Sequence, residues 1–172
     1  MGRDLTAKIV SPITDEWLKW ALGRPCHLVT MPDDATRMIN PQYGVSPVSF
    51  ADGMPILVLS EASMGDLNSR LEGPIPLNRF RANVILRGVD AYAEDTFDSI
   101  TIGNVKLRST KRCGRCLVTC TDQDTGERAT EPLRTLAGYR HYGNNACMGM
   151  YYVAESLGEI HVGDKVECGV IE

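Results

Sequence analysis

The chain has 172 residues and a formal net charge of −4, with 43% hydrophobic and 23% charged residues. That is enough to bury a core as one domain, or one domain plus an appended piece, with neither metal nor disulfides needed merely to fold. The acidic balance argues against nucleic acid or an anionic membrane as partner, and without an 18-residue apolar run or an export signal no membrane partner and no secretion are expected.

Residues 1–13 are weakly patterned. Thr14 reads as an N-cap, with Asp15 and Glu16 favouring the positive end of a helix over 14–22 that Gly23 and Pro25 stop. Cys26 to Met31 alternates like a strand. The polar stretch from Pro32 to Gly53 is too long for a plain connector. Ile56 to Leu59 reads as a buried strand, and Ser60 caps a helix carrying Met64, Leu67 and Leu71 that ends at Gly73-Pro74.

Arg79 to Leu86 leads into another strand. Ile100–Ile102 and Val105–Arg108 flank the two-residue turn Gly103-Asn104. A cysteine-bearing strand through Leu117-Val118-Thr119 follows, closed by the turn Asp124-Thr125-Gly126. Pro132 suits the first turn of a helix over 132–138. Met150–Ala154, Glu159–Val162 and Val166–Val170 read as strands. Strands joined by short turns dominate after residue 80, so a mainly β, barrel-like fold with a few short helices is expected, closed or nearly closed from Arg79 onward.

Chemistry concentrates at Lys111-Arg112-Cys113-Gly114-Arg115-Cys116-Leu117-Val118-Thr119-Cys120, where three of the six cysteines meet three cations. Neighbouring positive charge lowers a thiol's pKa and favours the reactive thiolate. Cys113-x-x-Cys116 admits several readings. A zinc site needs two more ligands, and no second close pair is present. A thioredoxin-type pair should open a helix, whereas a strand is expected here. A single cysteine at a strand start could ligate a soft metal, and two small residues packed in a core remain the plain alternative. Six cysteines without an export signal point to reduced thiols and a cytoplasmic location.

Arg79-Phe80-Arg81-Ala82-Asn83 offers two guanidiniums and an amide, groups suited to phosphate, or else simply a solvated strand end. Ser60-Glu61-Ala62-Ser63 suits a helix cap better than a catalytic triad. Asp52, Glu61 and Asp122 are the candidate proton carriers, and the sequence does not choose among them.

Several strings in fixed order together resemble one family: Phe50-Ala51-Asp52-Gly53-Met54-Pro55, Leu59-Ser60-Glu61-Ala62-Ser63, Asn78 to Asn83, Tyr92-Ala93-Glu94-Asp95, Cys113 to Cys116, Asp122 to Gly126, Glu131-Pro132-Leu133 and Val162-Gly163-Asp164. The chain is similar to MOSC domains, the fold of the C-terminal domain of molybdenum cofactor sulfurase, and within them to the branch of amidoxime-reducing enzymes and their bacterial relatives. The likeness implies that residues 1–55 are the tail of an N-terminal β-rich region and residues 56–172 the MOSC β-barrel domain. Basic residues of that region grip the cofactor in the family, so this chain by itself is expected to fold but to be isolated without molybdenum, with Cys116 as a free, accessible thiol.

The likeness implies a molybdenum–molybdopterin cofactor with Cys116 as metal ligand and catalytic residue. Cofactor contacts carry over to Gly53, Met54, Arg81, Asn83, Gly114, Arg115 and, beside the Met148-Gly149-Met150 string that stands for the family's F-G-Q, Tyr151. It also implies reduction of small N-hydroxylated substrates, with electrons from a ferredoxin-like or cytochrome/flavoprotein reductase partner. The alternative is a carrier of cofactor or sulfur, or a protein-interaction module, without bound metal. Pyridoxal phosphate is a weaker family suggestion, and no lysine is placed for a Schiff base.

Overall fold

The computed structural model describes residues 6–170. Strands β1 (Lys8–Ile9) and β2 (Val29–Thr30) pair antiparallel on either side of helix α1 (Pro12–Leu22). The cap of α1 is Ser11, not Thr14: its hydroxyl accepts from Thr14 N at 3.1 Å, and Pro12 suits the first turn that follows. Gly23 at φ 68° ends the helix as expected. The strand expected over Cys26–Met31 shrinks to two residues, since its one ladder partner is β1.

The long loop from Pro32 to Gly53 holds a 3-10 turn at Pro41–Tyr43 and a bridge between Met38 and Pro47. Arg37 clasps its end, donating to Ser49 O at 2.8 Å and Asp52 O at 2.7 Å.

From there the chain runs β3 (Ile56–Ser60), α2 (Glu61–Ser69), a 3-10 turn at Leu77–Phe80, β4 (Val84–Leu86) and a 3-10 turn at Ala93–Asp95. It continues through β5 (Phe97–Ile102), β6 (Val105–Gly114), a 3-10 turn at Leu117–Cys120 and α3 (Leu133–Tyr139), then β7 (His141–Tyr142), β8 (Asn145–Ala154) and β9 (Val166–Val170). Apart from β1 and β2, the strands form one sheet in the order β4-β3-β8-β6-β5-β9, with β7 paired to β8. The sheet curls into a half-barrel: among the described residues no ladder joins β4 to β9. Residues 159–162, expected as a strand, are irregular, and Asp164 instead accepts from His161 N at 2.7 Å.

Val58, Ile100, Leu107, Met150 and Tyr152 pack inside the curl, and Leu59, Leu67, Phe80, Leu136 and Met148 pack under the helices. Neighbours Val58 and Leu59 separate because strand side chains alternate faces. Met148 and Met150 ought to share a face, yet they fall in different clusters. The cause is a bulge. Between the pairs Arg112–Met150 and Gly114–Cys147, β8 uses one residue more than β6, and Gly149 takes up the kink at φ 80°. An added Cβ at Gly149 would meet Val58 O at 2.8 Å. Gly149→Ala is therefore expected to cost more than about 1 kcal/mol of stability, read as a lower urea midpoint with unchanged slope. An unchanged midpoint would show that β8 accommodates the residue.

Several strings that carried the family resemblance turn out to be framework. Buried Glu94 accepts from Ser60 N at 3.2 Å and from Ser63 Oγ at 2.7 Å, tying α2 to the turn before β5. Asp95 accepts from Arg140 at 2.6 Å and Arg112 at 3.0 Å.

Candidate functional site

The site-bearing segments meet where β3 and β4 begin and β6 ends. Asn83 fastens the first two: its backbone N donates to Leu57 O and its Oδ1 accepts from Leu57 N, both at 2.9 Å. Leu57 pairs with Tyr151 on β8, and β8 pairs with β6 close to Cys113. The burial of Tyr151, then its contact with the Cys113 sulfur, pushes its pKa well above the usual tyrosine value.

The cysteine segment departs from expectation. β6 stops at Gly114, and Leu117–Cys120 is a single 3-10 turn with Cys116 at its N-cap position. Leu117-Val118-Thr119 is therefore not strand. Thr119 ends the extended run by donating from both its N, at 3.2 Å, and its Oγ1, at 2.9 Å, to Cys116 O. Cys113 is buried and Cys116 exposed, and among the described residues the Cys116 sulfur has no hydrogen-bond partner. Gly114 permits close approach: a Cβ there would lie 3.0 Å from that of Asn145.

Two of the three cations point away from the thiols. Lys111 Nζ sits over the Tyr43 ring, 4.6 Å from its centroid, and Arg112 pairs with Asp95. As consecutive residues in a regular stretch of β6 between two bulges, they project from opposite faces, Lys111 to Tyr43 and Arg112 to Asp95. Arg115 alone reaches a cysteine, donating to Cys113 Sγ at 2.7 Å and to Phe80 O at 2.8 Å.

Phe80 belongs to the neighbouring turn. Arg81 follows it at φ 54°, a left-handed conformation that is uncommon outside glycine, and its exposed side chain has no partner among the described residues. Arg79 donates to Asp122 at 2.7 Å, and the turn amides of Thr125 and Asp124, together with Arg79, hold the Asp122 carboxyl below its usual pKa. Both Arg79 Nε and Arg115 Nε are buried without a hydrogen-bond partner.

Gly53 is exposed, whereas the Met54 side chain packs in a cluster with Ile39, Val48 and Val153. Of the candidate proton carriers, Glu61 is paired with Arg87 and Asp122 with Arg79. Asp52, exposed and close enough to Tyr151 to influence it, has no side-chain partner among the described residues. The contributions of Phe80 O and Arg37 escaped the sequence, because a backbone acceptor and a clasp over an irregular loop leave no residue pattern. Among the described residues, no three His, Cys, Asp or Glu side chains come together as a metal cage. Three of the lysines are engaged elsewhere, Lys106 with Glu155, Lys111 with Tyr43 and Lys165 with Glu167, and nothing supports pyridoxal phosphate.

Comparison with known proteins bears on this arrangement. The chain is 44% identical over 128 residues to human mitochondrial amidoxime-reducing component 1, covering 69% of this chain and 38% of that protein. It is 41% identical over 128 residues to bovine mitochondrial amidoxime reducing component 2, with the same coverage. To zebrafish mitochondrial amidoxime-reducing component 1 it is 36% identical over 177 residues, covering 96% of this chain and 53% of that one. The chain thus spans about half, or less, of the length of these relatives. The family model for the MOSC domain matches residues 45–167, which take in β3 to β8, the turns at Leu77–Phe80 and Leu117–Cys120 and every cysteine but two, and the chain belongs to the MOSC domain family.

Proposed function

We propose that this chain is the molybdenum-cofactor-binding part of an oxidoreductase that reduces N-hydroxylated compounds, with Cys116 as the protein's ligand to molybdenum. The observation that supports it most is the exposed, uncommitted sulfur of Cys116 at the head of a turn that packs against the turn presenting the exposed Arg81. A thiolate suits a soft metal, and guanidinium forks suit the phosphate of a pterin. Among the described residues no cage of protein ligands surrounds Cys116, so the remaining metal ligands would come from the cofactor.

In this reading the exposed guanidinium of Arg81 faces the anionic group, Asn83 Nδ2 and the backbone of Gly53 and Met54 complete the cradle, and Arg115, committed to Cys113 and Phe80, lies behind it. Gly114 allows β6 to end beside β8. When bound, the molybdenum centre supplies the two-electron reduction of an N–O bond. Two electrons from a ferredoxin-like or cytochrome/flavoprotein reductase partner and two protons convert an N-hydroxy compound into the amine-type product and water. Asp52 is the carboxylate free to pass one of those protons. Among the described residues no helix is long and apolar enough to cross a membrane. The free thiols fit any reducing compartment, the cytoplasm expected from the sequence or the mitochondrion of the relatives' names, and fractionation distinguishes them.

The test is titration of the purified chain with molybdenum cofactor, read by pterin fluorescence and elemental analysis, then assay with an N-hydroxylated substrate and a reductant system. Cofactor bound with turnover supports the reading. Binding without turnover leaves a carrier, and no binding at saturating cofactor overturns it. In the active form, Asp52→Asn is expected to lower turnover by roughly 10²–10⁴-fold with molybdenum content unchanged. A variant as fast as the parent would remove Asp52 from the reaction.

A further inference from the structure

Arg115 is next to the proposed metal ligand, yet its guanidinium is turned inward. Nη1 donates to Cys113 Sγ at 2.7 Å and Nη2 to Phe80 O at 2.8 Å, with Cζ 5.2 Å from the centre of the Phe80 ring. Its backbone N donates to Ala146 O at 2.8 Å. One residue therefore touches the end of β6, the start of β8 and the 3-10 turn that presents Arg81. We infer that Arg115 is a positioning residue: a strut that sets Cys116 relative to Arg81 by acting through Cys113 and Phe80. This rests on the reading of Cys116 and Arg81 as cofactor residues.

The chemistry of the side chain explains the choice. A guanidinium presents several donors in one rigid plane and can hold two acceptors at a fixed separation, which the single ammonium of lysine cannot. Cys113 supplies a small, buried acceptor at one end, 1% exposed, and Phe80 O, fixed by a turn that its own buried ring anchors, supplies the other. Tyr151 lies near the same sulfur. Cys113 then has a role without metal ligation, as the inner anchor of the loop that carries Cys116.

The test has two readouts. The first is iodoacetamide labelling of the cofactor-free chain, resolved cysteine by cysteine by mass spectrometry. Arg115→Lys is expected to raise Cys113 labelling at least tenfold, the scale expected when a buried hydrogen bond from a charged donor is lost, while Cys120 and Cys147 stay protected. Arg115→Met, which keeps the stem and removes the donors, is read in the same way should the lysine variant also expose Cys120. Unchanged protection of Cys113 overturns the strut.

The second readout is cofactor affinity by pterin fluorescence in Arg115→Ala, Cys113→Ala and the double variant. If Arg115 acts through Cys113, the losses do not add, and the double variant binds within about twofold of Arg115→Ala. Additive losses place Arg115 on the cofactor itself and overturn the proposal. Failure of the parent chain to bind cofactor sinks the functional reading instead, and the labelling result still decides the strut.

Discussion

Cys116→Ala is expected to reduce cofactor binding to the level of an unrelated protein, while Cys113→Ala keeps a measurable part of it. The two thiols differ by burial. Cys116 is exposed with a free sulfur, and Cys113 is 1% exposed with its sulfur held by Arg115. A metal ligand must present a deprotonated sulfur with room for the metal, and the outer of the two does so without moving the backbone. Partners that merely orient a ligand typically contribute about 10–100-fold to metal affinity, so removing the ligand itself should cost more than that. Molybdenum per chain, measured after gel filtration in excess cofactor, separates the two variants. Equal loss from both would point to a dithiol site.

The largest loss of stability is expected from Asp95→Ala. The Asp95 side chain is 5% exposed and accepts from Arg140, itself 6% exposed, and from Arg112. Removing it leaves the Arg140 guanidinium buried with only Tyr142 and the Cys147 carbonyl for partners, stacked over Tyr92. Breaking a buried ion pair from one side typically costs about 3–5 kcal/mol, because a charge is left without compensation. Urea unfolding should show the midpoint falling accordingly. A loss below about 1 kcal/mol would mean that water reaches Arg140. The pair also bears on the site: Arg112 is adjacent to Cys113, so a freed Arg112 loosens the end of β6.

Wherever a single short stretch of chain carried the information, the sequence by itself determined the outcome. The hairpin across Gly103-Asn104, the helix begun by Ser60, the buried strand at Ile56 and the last strand at Val166 all follow from turn residues, caps and periods of two or 3.6. The family could be read from ordered strings, although several of those strings, such as Ser60–Ser63 with Tyr92–Asp95, serve as framework. Where local preference was weak, the reading failed. Leu117-Val118-Thr119 has strand-forming residues, but in the fold it turns to cap Cys116 O, and Glu159–Val162 pairs with no strand among the described residues.

The tertiary structure alone decided which groups meet. Arg115 reaches the carbonyl of Phe80 across 35 residues, and Asp95 reaches Arg140 across 45. Both contacts depend on strand register, and two bulges between β6 and β8 reset that register within a few residues of Cys113. A one-residue shift exchanges the faces of a strand. No count of charges near a cysteine could therefore tell that Lys111 goes to Tyr43 and Arg112 to Asp95 while Arg115 reaches Cys113.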